Sequence, residues 1–194
     1  PSVYSLKLNY QNSTVDVTSV VTGGTIGGLV RYRSDVLQPA TAELGRLALV
    51  VSDEINSQLG QGVDANGAFG SNLFNSINDP SLLTQRSLAN KNNDTTSGNF
   101  AVSITDANAL TTNDYQVTFG TGGQYSVKRL PDGKDMGSFN TADPAPVIDG
   151  FSLKFNGSSA EGDSFKISPT KTGADGIKTV MTDTKSLAMA APLT

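Results

Sequence analysis

Apolar residues recur at steps of three and four from about residue 25 to residue 59, which is the longest regular pattern in the chain. Because an α-helix turns every 3.6 residues, these positions fall on one stripe, and charged residues occupy most of the remaining surface. The pattern predicts a helix over about residues 25–60, much longer than the usual ~10–14 residues. The packing face that we expect on this helix consists of Leu37, Leu44, Leu47, Val51 and Ile55.

Pro39 lies inside the predicted helix. Because proline removes a backbone hydrogen bond, we expect a bend near residues 35–39 rather than a straight rod. The apolar stripe has two interpretations: it packs against the helix's own domain, or it packs against helices of a larger bundle outside this chain. Only one other stretch has helical spacing, so partner helices within the chain are scarce. This mismatch favours the second interpretation.

Residues 3–20 carry mostly alternating apolar positions, which predict a β-hairpin with its turn at residues 11–13. A glycine-rich run, residues 23–28 (GGTIGG), leads from the hairpin to the helix. A phosphate-binding loop would continue with Lys and Ser or Thr, but Leu29 and Val30 follow. We therefore expect these glycines to let the chain turn tightly from the hairpin into the helix.

Residues 61–86 are rich in turn-forming residues and predict an extended loop. From Asn99 the apolar period changes to two, which predicts strands. The predicted strands lie around residues 100–104, 115–119, 125–127, 151–155 and 165–167. Short strands separated by glycine-containing turns predict a compact antiparallel domain, either a small sandwich or a barrel. After Gly176 the apolar spacing is helical again and predicts a short closing helix.

Together these elements predict an α+β protein, with a partial helical (bundle-type) domain and an inserted small antiparallel β domain. The helical portion is expected over residues 1–86, with the hairpin, the long helix and the loop in that order. The inserted β domain is expected over residues 87–172. Residues 173–194 are expected to return as a helix to the helical domain.

The residue types present restrict the chemistry. Histidine and cysteine are absent, which excludes a Ser-His-Asp triad, a Cys-His nucleophile and the common zinc sites. The carboxylate pairs Asp132/Asp135 and Glu161/Asp163 flank glycine turns, where we expect local hydrogen bonding. Residues 64–67 (DANG) are expected to form a turn rather than a calcium loop, because the closing glutamate is missing. We expect no catalytic site, cofactor or metal.

Composition adds little beyond this. Charged residues make up 16% of the chain, below the usual ~25%, while Gly, Ser, Thr and Asn are abundant, as in β-rich surface modules. The net charge of −4 gives no basic surface for nucleic acid, and no apolar run is long enough to span a membrane. The chain starts at Pro1 without a methionine or a signal-peptide pattern, so we expect trimmed ends.

An ordered set of short segments resembles a known family. Before the strands, these segments are residues 24–37 (GTIGGLVRYRSDVL), 44–48 (LGRLA), 56–58 (NSQ) and 62–67 (GVDANG). Further on, they are residues 105–107 (TDA), 114–115 (DY), 149–151 (DGF), 162–165 (GDSF) and 186–190 (SLAMA), together with Phe119. The set resembles the family of bacterial flagellar hook-associated protein 1, which forms the hook–filament junction. The resemblance covers most of the chain from about Gly23; Leu59, where the family often has histidine, departs from it.

The resemblance implies a non-enzymatic structural subunit of the flagellum that joins hook to filament and serves flagellum assembly and motility. It implies an extracellular protein, exported without a cleaved signal peptide. The chain would be the central part of that protein, lacking both terminal helical segments, with the β domain facing outward. The implied partners are copies of itself in a ring and the neighbouring hook and hook-associated proteins, and we expect this chain alone to be monomeric.

The alternative from another class is a carbohydrate- or surface-binding β-module of a secreted adhesin. It depends on the Asn-, Gly- and Thr-rich turns and on exposure of Tyr4, Tyr10, Tyr115 and Tyr125. A hydrolase that uses two carboxylates is a more distant alternative and would need an acidic cleft.

Overall fold

The computed structural model describes residues 6–10, 13–18 and 20–188. These residues belong to two compact units, residues 1–41 and residues 42–194. Residues 3–5 of the predicted hairpin and positions 11 and 12 of its predicted turn lie outside the described residues, as does Tyr4.

The first unit begins with two short antiparallel strands, β1 (Lys7–Tyr10) and β2 (Ser13–Asp16), in which Leu8 is opposite Val15. Helix α1 (Gly24–Tyr32) follows. Gly27 is buried in its first turn, and a β-carbon at this position would lie 2.7 Å from the carbonyl carbon of Thr22. Only glycine therefore fits at position 27, where the chain enters the helix.

Helix α1 continues into a π-helical segment, Arg33–Leu37, and then into α2 (Gln38–Gln61). The backbone N–H of Gln38 donates to the carbonyl of Arg33, five residues back. Because Pro39 has no N–H, it cannot donate to the carbonyl of Asp35, and the wider hydrogen-bond register accommodates this loss. The irregularity expected at this position is therefore a change of register; the bend itself stays a prediction.

The second unit contains two antiparallel sheets. The larger has the order β3-β10-β5-β6-β7 and the smaller β4-β9-β8. The strands of the larger sheet are β3 (Ser87–Ala89), β5 (Asp114–Phe119), β6 (Gln124–Leu130), β7 (Asp135–Asn140) and β10 (Ser164–Ile167). Those of the smaller sheet are β4 (Asn99–Ile104), β8 (Val147–Ile148) and β9 (Phe151–Asn156).

The core of this unit lies between the sheets. Phe100 of β4 is fully buried, and its ring centre lies 5.8 Å from that of Phe119 and 5.3 Å from that of Phe165, both in the other sheet. Side chains on alternate positions of β4, β5 and β10 are buried, as the period of two predicted. The domain is a two-layer sandwich and not a barrel, and the predicted α+β class is confirmed.

The pattern missed three strands: β3, β7 and β8. Strands β8 and β9 are joined by Asp149 (φ 42°) and Gly150 (φ 84°). An Asp-Gly pair with two positive φ angles is the usual two-residue hairpin turn, so this signal could have revealed β8. Strand β7 has a register shift against β6 near Gly137, and its side chains show no regular alternation.

The helix predicted for residues 173–194 is wrong for the described part of that range. Only α4 (Gly173–Gly176) and a 3₁₀ turn (Thr184–Ser186) are helical there. Thr179 instead forms a bridge with Phe74, and the N–H of Val180 donates to the carbonyl of Leu73. These backbone groups pair across to another segment, so they cannot form a helical ladder. Residues 189–194 lie outside the described residues, and the predicted domain boundaries stay predictions.

A further short helix, α3 (Pro80–Leu83), and a 3₁₀ turn, Thr84–Arg86, lie between α2 and the sandwich. The Asp79 side chain caps α3 by accepting from the Ser81 N–H. The rest of the loop predicted after α2 is irregular. Asp64 accepts hydrogen bonds from the N–H groups of Asn66 and Ala68, so residues 64–67 form the predicted turn.

Candidate functional site

Helix α2 has one buried face and one exposed apolar face. Its buried residues are Ala42, Gly45, Leu49, Ser52 and Leu59. Leu44, Leu47 and Val51 are 59%, 54% and 44% exposed, and Ile55 is partly buried. We call these last four residues the α2 stripe. At 100° per residue, the α2 stripe and the buried face are centred roughly 130° apart around the helix.

Close approach of backbones explains why small residues occupy the buried face. A β-carbon on Gly45 would lie 1.8 Å from the carbonyl oxygen of Thr170, and one on Gly173 would lie 2.4 Å from the carbonyl oxygen of Gly45. One turn further on, Leu49 is fully buried in the core of the sandwich. The two glycines bring the helix close enough for Leu49 to reach that core.

Polar contacts hold the rest of α2. The Asn56 side chain donates to the carbonyl of Phe74 (2.9 Å) and accepts from its N–H (3.0 Å). Glu54 accepts from the side-chain amide of Asn108 at 3.0 Å. Burial raises the pKa of Asp53, and the neighbouring Glu54 carboxylate raises it further. Because these contacts fix the rotation of the helix, the α2 stripe is presented in one orientation.

The first unit also exposes apolar side chains. Leu37, the fifth residue of the expected packing face, is 51% exposed, and Leu29 and Val36 are 63% and 50% exposed. The structure therefore places four of the five expected residues on the exposed surface and leaves only Ile55 partly buried. These five residues do not form the buried face of the helix, although Leu59 at the end of the sequence stripe is buried. That the five residues pack against partners stays a prediction.

The carboxylate pairs singled out by the sequence make local bonds. Asp132 forms an exposed ion pair with Arg129, and the hydrogen bond from Arg129 lowers its pKa. Asp163 is buried; burial works to raise its pKa, but hydrogen bonds from Ser97, Ala160 and Asp94 lower it overall. Among the described residues, no group of three acidic, His or Cys side chains is placed to hold a metal ion. In the same part of the chain, no helix is long and apolar enough to cross a membrane.

Asparagine has a role that sequence patterns did not show. Two further asparagine side chains bond the backbone in the same way as Asn56. Asn78 bonds the N–H and the carbonyl of Ile104, and Asn93 bonds the N–H and the carbonyl of Ser164. Asn75 bonds the carbonyl of Gly176 and the N–H of Lys178. Each of these side-chain amides thus pairs with the backbone as a peptide group would, since it offers the same donor and acceptor. No local signal marks these residues, because their partners are 18 to 103 residues away.

Arg86 is a second feature that the sequence did not reveal. It is 2% exposed and donates to the carbonyls of Val102 (2.8 Å) and Ile77. Its Nε has no hydrogen-bond partner, and no carboxylate among the described residues forms an ion pair with it. Burial lowers the pKa of Arg86 to about 10. The guanidinium ties residue 77 to strand β4 and has no sign of a ligand-binding role.

Comparisons with known proteins agree with this architecture. The model described as "Flagellar hook-associated protein FlgK helical domain" matches residues 1–74, and the model described as "Flagellar hook-associated protein 1, D2-like domain" matches residues 88–169. The structure of the flagellar hook junction protein FlgK from Burkholderia pseudomallei is similar with a TM-score of 0.76 and 31% identity, over 93% of this chain and 32% of that one. The chain belongs to the FlgK family.

Two curated FlgK relatives agree. Flagellar hook-associated protein 1 of Escherichia coli (strain K12) is 32% identical over 169 residues, and that of Salmonella typhimurium is 29% identical over 167 residues. Each match covers 86% of this chain but 29% of the relative. The chain thus spans less than a third of the FlgK proteins that it matches. The resemblance found in the sequence is confirmed, and the α2 stripe lies within the part matched by the FlgK helical-domain model.

Proposed function

We propose that this chain acts as part of a structural subunit of the bacterial flagellum, which joins hook to filament by packing of subunits and not by catalysis. Its partners are copies of itself in a ring and the neighbouring hook and hook-associated proteins. It works outside the cell and is exported without a cleaved signal peptide. Membership of the FlgK family and the names of its relatives support this proposal.

The observation that carries the proposal is the exposed α2 stripe. Complete burial of a Leu or Val side chain contributes about 1.5–3 kcal/mol relative to exposure. Leu44, Leu47 and Val51 each expose more than two-fifths of their surface, so covering all three would contribute several kcal/mol by this scale. An assembly that uses such a face needs complementary side chains and no reactive group.

The first unit supports the same role independently. Leu8 and Val15 are opposite each other on the hairpin and are 59% and 55% exposed. Two strands alone are marginally stable in water, so a covered hairpin would be more stable than an exposed one. With Leu37 on the π-helical segment, this unit has its own candidate packing surface.

Among the described residues, nothing favours the adhesin alternative. Tyr115 and Tyr125 are 1% and 3% exposed, and the Tyr115 hydroxyl donates to Asp149 at 2.6 Å. A sugar cannot stack on a buried ring. Tyr4 lies outside the described residues, and the structure describes only the backbone of Tyr10.

The direct test uses the full-length flagellar protein in cells that lack their own copy. The double variant Leu44→Asp, Leu47→Asp should still be exported, but it should abolish filament attachment and motility. Two charged side chains cannot be buried in an apolar interface without a large cost in free energy. The control is Ser57→Asp, which adds a charge to an exposed position of α2 outside the stripe.

Immunogold electron microscopy with antibody against this chain gives the location. The proposal expects a narrow band of label where hook meets filament. Label spread over the cell surface, or normal motility of the double variant, would contradict it. Light scattering of the isolated chain should show a monomer, and a stable ring or fibre would count against that part of the proposal.

A further inference from the structure

Two asparagines of the chain, Asn66 and Asn156, are followed directly by glycine. An asparagine in this position can lose its side-chain amide without an enzyme, because the backbone nitrogen of the next residue can attack the side-chain carbonyl carbon. Glycine has no side chain to obstruct this approach. Both asparagines are exposed. Sequence and exposure therefore do not distinguish the two sites, and the backbone around each one decides whether it can react.

The peptide between Asn66 and Gly67 lies in a small exposed turn. Gly67 has a positive φ of 78°, and no atom of the described residues beyond its chain neighbours lies within 4 Å of a β-carbon built there. Hydrogen bonds to Asp64 hold the turn. The Gly67 N–H donates to the Asp64 carbonyl at 3.1 Å, and the Asn66 N–H donates to the Asp64 carboxylate at 2.8 Å. Because the space beside Gly67 is open, this peptide can rotate into the reactive geometry when these local bonds open.

The peptide between Asn156 and Gly157 is packed instead. Asn156 is the last residue of β9 and pairs with Asn99 of β4. A β-carbon on Gly157 would lie 2.7 Å from the Cα of Gly98, and one on Gly98 would lie 1.9 Å from the carbonyl oxygen of Asn156. Rotation of this peptide would drive it into the Gly98 backbone or separate β9 from β4. The fold therefore holds one Asn-Gly peptide in place and leaves the other able to react.

We propose that Asn66 is a modification site at which the folded chain deamidates spontaneously, whereas Asn156 is protected. The backbone nitrogen of Gly67 forms a bond to Cγ of Asn66. The proton of that N–H ends on Nδ2, which leaves as ammonia, and a five-membered succinimide ring results. Water then opens the ring at either of its two carbonyl carbons, which gives aspartate or isoaspartate at position 66. Water is the one co-reactant that this sequence of steps consumes.

The product changes the turn. Isoaspartate places an additional methylene group in the backbone after position 66, so the Ala68 N–H no longer reaches the Asp64 carboxylate, to which it donates at 2.9 Å. Either product adds a negative charge beside Asp64. The turn also holds a distant segment, because the Ala65 N–H donates to the carbonyl of Lys185 at 3.2 Å. We therefore expect deamidation to weaken this attachment.

The test incubates the chain in mildly alkaline buffer, in which the backbone nitrogen loses its proton more readily, and follows the mass gain from amide to acid. Trypsin cleaves after lysine and arginine and gives peptides 47–86 and 155–166, each with one Asn-Gly pair. Asn66 should deamidate at least about tenfold faster than Asn156, as for a barrier lower by about 1.4 kcal/mol. In concentrated guanidinium chloride, where the fold is lost, the two sites should react at similar rates.

The matched variant is Asn66→Gln, in which ring closure would require a less favourable six-membered ring. Incubated in parallel, it should stay unmodified at position 66. Hydrogen exchange of the Ala65 amide should become faster in the incubated unmodified chain and stay unchanged in the incubated variant.

Three results would overturn the proposal. One is a folded chain in which Asn66 does not react or reacts with a clearly smaller advantage over Asn156. Another is the same advantage of Asn66 in guanidinium chloride, which would mean that the fold does not cause the difference. The third is unchanged exchange of the Ala65 amide after complete deamidation, which would remove the expected effect on the attachment to Lys185.

Discussion

Helix α2 has small residues on its buried face and large apolar residues on its exposed face, whereas large apolar residues are ordinarily expected on the buried face. The buried face carries Ala42, Gly45 and Ser52, whereas the exposed face carries Leu44 and Leu47. Apolar periodicity selects the second face, since glycine and serine do not count as apolar. At Gly45 the backbones approach so closely that only glycine fits, and this approach lets Leu49, one turn further on, enter the core. A large apolar stripe on a packed helix can therefore mark the surface that faces another chain.

The largest expected effect is on the buried face. Leu49→Ala should lower the free energy of unfolding by about 2–5 kcal/mol, because it leaves a cavity in the core that the sandwich cannot fill. Urea titration of the isolated chain measures this change. Loss of less than about 1 kcal/mol would mean that α2 contributes little to that core.

Gly45→Ala should cost about 1–3 kcal/mol, since its methyl group would overlap the carbonyl of Thr170 and force the helix away. Gly60→Ala is the matched control on the same helix: no atom lies within 4 Å of a β-carbon there. That change should be neutral or stabilise by up to about 1 kcal/mol through helix propensity. If the two substitutions change the midpoint of thermal unfolding equally, the close approach of the Gly45 and Thr170 backbones is contradicted.

Acid should destabilise the second unit through Asp114. Burial works to raise its pKa, but the bonds from Lys171 and Lys166 outweigh burial and hold it below the ordinary 3.8. The folded state thus binds the proton less readily than the unfolded state, so stability is present above about pH 4 and is lost as pH falls through the lowered pKa. Urea titrations between pH 7 and pH 3 should show this loss, and Asp114→Asn should have a smaller one.

The smallest effect should be on the exposed face. Leu47→Ala should change the free energy of unfolding of the isolated chain by less than about 1 kcal/mol, because its side chain is half exposed already. Leu47→Ala and Leu49→Ala make the same chemical change on different faces of α2, so comparing them shows how much each face contributes to the free energy of unfolding. A loss of 2–5 kcal/mol, the range for buried leucines, would show that the stripe is part of the core after all.

Sequence patterns predicted the parts of this fold in which apolar side chains face the core and polar side chains face away from it. The strands around Phe100, Val117 and Phe165 alternate because one side faces the core. The patterns failed where backbone pairing decides the structure: Ile177 and Val180 have helical spacing, yet this segment pairs with residues 73–74.

The candidate site shows the same limit. The five apolar positions of the expected packing face could be found from their spacing, and four of them are exposed. Which face of α2 is buried depends on Thr170 and Gly173, more than 120 residues away, and no local pattern contains that information. The bonds of Asn78 and Arg86 are equally invisible, since asparagine and arginine read as surface residues.

The most direct test is cysteine labelling at the stripe. The chain has no cysteine, so Leu47→Cys can be followed by mass spectrometry of the peptide that contains it, with Ser57→Cys as an exposed control on another face of the same helix. Both should react with a maleimide at similar rates in the isolated chain. In the full-length protein assembled into flagella, position 47 should be strongly protected relative to position 57. Equal labelling of both positions in intact flagella would contradict the assignment of the α2 stripe to assembly.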